Sequence, residues 1–313
     1  MLRPGQGSSG AARFPATRSE RDAMDGPPYT GVRTTTPGTR WILLIASVLV
    51  FLVGVQLFVL TDMTDQFFAW TIQSPLTAAF LGAAYWASFT MEYFASRHRT
   101  WAHARIAVPA VLAFTGITLV VTLIHIDLFH FDELSVTTRF LTWAWLFVYA
   151  VVPPVMIVLL FRQVRSDGVD PQRQSRLSTW FRTLLVVHAA LLIPIGIALL
   201  IAPTVTAQIW PWTLTPLTGR AIGAWLVGLG IAAVHAVREN DWMRIQPATM
   251  SYVVFGVLEL VALARYPDEI AWSTPEAWVY LLFLLSALGA GFYGWWQSSR
   301  NVATPGVART TLV

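Results

Sequence analysis

The 313 residues are 55% hydrophobic and only 12% charged, with a formal net charge of +4, where a soluble domain carries roughly a quarter charged residues, so lipid is the expected solvent for most of the chain. There is no cysteine and all 21 basic residues are arginine, which excludes disulfides, thiolate nucleophiles, iron–sulfur clusters, cysteine zinc sites, a Walker A lysine and Schiff-base chemistry. The arginines sit between apolar runs, where membrane topology accounts for them, so the positive charge does not call for a nucleic-acid partner.

Residues 1–40 are rich in Gly, Pro, Ser, Thr and Arg. They hold too little apolar surface to offset the entropy of ordering and read as a disordered cytoplasmic tail without a signal peptide. Apolar runs follow at 41–60, 76–94, 106–126, 140–161, 180–203, 217–237, 248–264 and 277–296. Each is long enough to cross about 30 Å of hydrocarbon as a helix, and none shows the period-two alternation of barrel strands. The expected fold is an all-α integral membrane protein of about eight transmembrane helices. All but Arg139, Arg220 and Arg265 of the 21 arginines fall on one side of the alternating connections. The positive-inside rule then places both termini in the cytoplasm, in agreement with an even helix count.

Compared with itself at an offset of 141 residues, the chain aligns Pro75, Leu76, Thr77, Gly82 and Ala83 with Pro216, Leu217, Thr218, Gly223 and Ala224. Trp101 falls on Trp242, Phe114 on Phe255 and Asp127 on Asp268. These identities predict two parallel tandem four-helix repeats, 41–162 and 180–297, joined by a cytoplasmic linker, 163–179, and followed by a C-terminal tail, 298–313. Ala83 with Ala87, Ala224 with Gly228, and Gly219 with Gly223 are small-xxx-small pairs that predict close backbone contacts of the second and sixth helices. A four-helix unit with an outer loop, a Gly-Ala helix start (216–224) and a short Arg/Trp turn (238–242) resembles the DoxX-like small bacterial membrane proteins. That resemblance implies a four-helix unit in a bacterial membrane and no single activity.

Two charges interrupt the apolar pattern of the second repeat. Glu259 lies about 9 Å by helical rise from Arg265, and its counterpart is Thr118, while Arg220 has Ala79 as counterpart. An Arg220–Glu259 ion pair is the simplest expectation, acting either as a helix lock or as a ligand or proton site. Trp210 and Trp212, like Phe67, Phe68 and Trp70 in the first repeat, are interfacial anchors or the rim of an apolar cavity, which Pro153, Pro154 and Pro194 could open by kinking their helices. His125, Asp127 and His130 are metal-type ligands without a recognisable metalloenzyme spacing. His188 reads as a packing residue, and Glu92 as a group paired locally with Arg97 and Arg99 or snorkelling.

Together these readings predict a multi-pass protein of the plasma (inner) membrane, without catalytic residues or cofactor. Its partners are membrane lipids and a small apolar or amphipathic molecule, bound or transported between the two repeats. Arg220, Glu259, Trp210 and Trp212 are the ligand-binding or helix-locking residues. The alternatives are a structural or accessory subunit, or a membrane-embedded metal-dependent enzyme built on His125, Asp127 and His130.

Overall fold

Apolar sequence of this length satisfies its backbone only by closing hydrogen bonds within each segment, and long helices result. The computed structural model describes residues 31–133 and 135–302, with side chains through residue 300. Its long helices are α1 (Pro37–Phe58), α2 (Pro75–Arg97), α3 (Ala107–Ile124), α4 (Val136–Val164), α5 (Thr179–Ile201), α6 (Pro216–Glu239), α7 (Trp242–Arg265) and α8 (Pro275–Val302). No strand occurs among the described residues, which hold only two isolated bridges.

Seven of these helices are long and apolar enough to cross a membrane. The expected eighth, α2, is not among them, and its surroundings explain why. Of its 23 residues, 17 are buried, so its Ala, Gly, Ser and Thr side chains meet other helices and need no affinity for lipid. By contrast α4 turns Phe140, Trp143, Phe147, Val158 and Phe161 outward, an exposed apolar stripe suited to acyl chains rather than water.

The pairing of the helices crosses the middle of the chain. Within the first half α1 packs on α2 and α3 on α4; within the second, α5 packs on α6 and α7 on α8. The halves are joined by α2 on α7 and by α6 on α3, whereas α2 touches α3, and α6 touches α7, only slightly. At one end Arg265 donates to the Phe58 carbonyl (2.5 Å), and Glu269 accepts from Ser74 and from the Leu76 amide (3.2 Å).

The shared Ser/Thr-Pro-Leu-Thr sequence is a helix start. Ser74 caps α2 by accepting from Thr77 N (3.0 Å), Thr215 caps α6 by accepting from Thr218 N (3.3 Å), and proline occupies the first helical position of both, where its missing N–H costs nothing. The two matched glycines are close-contact points. A Cβ on Gly82 would lie 2.5 Å from Phe58 N of α1, and one on Gly223 would lie 2.8 Å from Gly196 O of α5. The second and sixth helices therefore make their tightest approaches to α1 and α5 rather than to each other.

The expected tail to residue 40 is shorter than composition suggests. From Gly31 onward the chain docks: Trp101 N donates to Arg33 O (3.0 Å), and α1 already begins at Pro37. Trp242 N donates in the same way to Ser175 O (3.0 Å), so the segments before α1 and α5 seat on matched tryptophans. Gly168, at φ +103°, makes this packing possible in the linker, because any Cβ there would meet Gly31 O at 2.6 Å. The expected C-terminal tail starts as helix, since α8 continues to Val302 and Ser298 bonds the Trp242 carbonyl (2.9 Å). Residues 1–30 and 303–313 of the expected tails lie outside the described residues.

Candidate functional site

The segment after α5 folds back over the helix ends because two bonds hold it there. Ala271 N donates to Pro211 O (2.9 Å), and Trp212 Nε1 donates to Thr77 Oγ1 at the start of α2 (2.9 Å). This tucks Trp212 into the protein, 4% exposed. Its ring packs against Tyr280 of α8 (5.2 Å between centroids), Trp210 (5.1 Å) and Phe80 of α2 (5.9 Å), and Phe80 meets Phe255 of α7 (6.0 Å). Such tilted and edge-on aromatic contacts are each worth about 0.5–1.5 kcal/mol beyond the area they bury.

Beside this cluster lies a cavity of about 380 Å³, lined by side chains of α5, α6 and α8, by Trp210 and Pro211, and by Phe80. Its walls are apolar, and Ile209, Val279 and Leu191 on its rim are largely exposed, so it opens sideways on the surface that the apolar stripes assign to lipid. Leu191, Leu192 and Ile195 flank Pro194 of α5, where proline removes one rung of the helix ladder. Its polar lining residues are few, Glu276 at the rim and Thr206, while the Tyr280 hydroxyl and the Trp210 indole N–H are themselves buried, the latter without a partner among the described residues.

Glu259 sits beneath the cavity wall with no exposed surface. Its Oε2 accepts from the Tyr280 hydroxyl (2.9 Å), while Oε1 has no partner among the described residues. The expected Arg220–Glu259 pair is absent. Arg220 instead donates through Nε to the Leu200 carbonyl (3.0 Å), near the end of α5, and through Nη1 to His125 Nε2 (2.7 Å). A carbonyl freed at a helix end is a natural acceptor for arginine, and α6 starts beside that end. Of the four named residues, Trp210, Trp212 and Glu259 therefore gather around Tyr280, and Arg220 belongs to a separate contact.

Two of the three metal-type candidates, His125 and His130, are engaged in hydrogen bonds within the protein. His125 accepts from Arg220, and burial together with that charge lowers its pKa. His130 bonds the Phe68 carbonyl (3.2 Å) and Thr71 (3.0 Å), and Asp127 is exposed. The described residues contain no group of three or more His, Asp or Glu that could hold a metal ion. His188 bonds Ser286 (2.9 Å) within the packed interior. Glu92, 1% exposed, pairs with Ser88 (2.7 Å) rather than with Arg97 or Arg99.

In the first half Trp70, Phe68 and Trp145 pack together (4.4–5.2 Å), and Thr118 stands where Glu259 does. Around Phe114 and Trp225, where α2, α3 and α6 meet, the cavities are only about 10 and 30 Å³, and the apolar site of about 380 Å³ flanks the second half instead. Sequence reading missed Tyr280 and Glu276, whose signal was a carboxylate and a hydroxyl one turn apart at a helix start. Compared with family models, curated proteins and solved structures, the chain matches none, so its activity must be argued from the chemistry of this site.

Proposed function

We propose that the chain is a plasma-membrane protein of eight spans with both termini cytoplasmic, arranged as two parallel tandem repeats. Its proposed role is to bind or pass a small, largely apolar molecule carrying one polar end. The observation that carries this reading is the lateral cavity of about 380 Å³ at Trp210 and Tyr280, within the size range of small-molecule sites. Its apolar walls suit a hydrocarbon body. Glu276 offers an acceptor for the polar end at the rim. The matched helix pairs and the paired Trp101 and Trp242 docking points support the tandem-repeat part. The kinship with DoxX-like four-helix proteins is proposed on the same footing.

The test is extraction of the protein from its membrane in mild detergent, followed by mass spectrometry of what travels with it. A species held in stoichiometric amount by the wild type and absent from Ile195→Trp, which fills the cavity, supports the proposal. Equal content in both proteins removes it. The accessory-subunit reading is favoured by the tight packing around Phe114 and Trp225 where the halves meet, and a partner protein co-purifying at fixed ratio with both variants would establish it.

A further inference from the structure

At the opposite end of the molecule from this groove, the end of α6 and the start of α3 enclose a cavity of about 470 Å³. One side carries the cations Arg105, Arg173 and Arg238 together with His235, and the other is apolar, with Pro109, Ile231 and Val234. Arg105 grips Glu239 with two prongs (2.5 and 2.8 Å) and also bonds Asp170. Among the described residues Glu239 is the only carboxylate lining the cavity, and it also bonds Arg244 (3.1 Å) and His235 (3.0 Å). Arg173 donates to the backbone carbonyls of Glu239 (2.7 Å) and Arg238 (3.2 Å), which fix its guanidinium without neutralising it. Arg238 is exposed and its guanidinium bonds no described residue. Arg105, Arg173 and Arg238 thus stand beside two carboxylates, Glu239 and Asp170, both already bonded by Arg105.

We propose that this cavity holds the phosphate-bearing headgroup of an anionic phospholipid, with its acyl chain along the Pro109–Ile231–Val234 wall. A general excess of arginine on one side of a membrane would load both halves alike. The matched positions of the first half do not follow. Gln246 replaces Arg105, Phe94 replaces His235, and Val32 stands where Arg173 does; only Arg238 has a cationic counterpart, Arg97. The cations are therefore gathered at one of two equivalent places, as a site requires and a topology signal does not. The headgroup comes from a lipid rather than from solution because Val234 is 41% exposed beside the cations, which leaves an apolar wall that free phosphate could not use.

The test titrates detergent-purified full-length protein with phosphatidylglycerol and with phosphatidylcholine, reading bound lipid by native mass spectrometry. The anionic lipid is expected to bind at least about tenfold more tightly. Arg173→Ala and Arg238→Ala should each weaken it about fivefold, while Arg97→Ala leaves it unchanged, since each interfacial cation adds about that factor. Both positions are exposed, and circular dichroism confirms folding of each variant. Equal binding of the two lipids, no loss in either variant, or equal loss in Arg97→Ala overturns the proposal. So does full displacement by millimolar inorganic phosphate, which would make the site one for a soluble anion.

Discussion

A carboxylate with no exposed surface and one bonded oxygen makes Glu259 and Tyr280 a unit: losing either partner strands the other. Tyr280→Phe should lower stability by about 1–3 kcal/mol, the usual result of leaving a buried polar group unpaired, whereas Tyr280→Phe combined with Glu259→Leu should recover most of that loss. Thermal midpoints of the purified variants in one detergent check both. A second residue-scale expectation concerns pH. His98, beyond the end of α2, has its pKa lowered to about 4 by burial and by its neighbour His103, whose ring centroid is 5.5 Å away. The unfolded chain protonates this group near 6.5, so its contribution is intact above that value and lost as pH falls toward 4. His98→Phe should flatten the decline of the thermal midpoint between pH 6.5 and 4. Glu259 was legible in the sequence because a charge interrupts an apolar run. Its partner was not, because a hydroxyl on Tyr280 looks like any interfacial aromatic until packing brings α7 and α8 together.

At the scale of the element, the repeated Pro-Leu-Thr sequence was visible, and its meaning as a capped helix start follows from chemistry that acts within one turn. Ser74→Ala should cost about 1 kcal/mol through the lost cap. It should cost more than Thr215→Ala, because Ser74 also donates to Glu269 and so ties α2 to the turn after α7. Gly82→Leu and Gly223→Leu should each destabilise strongly, by about 1–3 kcal/mol or more, since the added atoms meet backbone that cannot rotate away. Chemical unfolding of each variant in micelles measures these effects. What the sequence did not reveal is which helix each glycine approaches, since small-xxx-small spacing marks a contact face without naming the partner. The same limit hid the true nature of α2. Its modest hydropathy shows a helix surrounded by protein, which composition alone cannot distinguish from a poor span.

For the whole molecule, the all-helical membrane architecture was legible from apolar run lengths, because bilayer thickness and backbone hydrogen bonding leave few choices. The crossing of α2 onto α7 and of α6 onto α3 was not, since nothing local encodes pairing between halves. If α2 spans together with the seven apolar helices, residues 62 and 100 lie on opposite faces of the membrane. The chain contains no cysteine, so Asp62→Cys should react with a membrane-impermeant maleimide in intact cells and Thr100→Cys only after permeabilisation; labelling of both from outside would contradict the arrangement. The crossed pairing also bears on biogenesis. Until α6 and α7 emerge from the ribosome, α2 and α3 present unpartnered faces to lipid or to a chaperone. A chain stopped after α4 should then be cleared by proteolysis, while the two halves made as separate polypeptides should find one another and accumulate together.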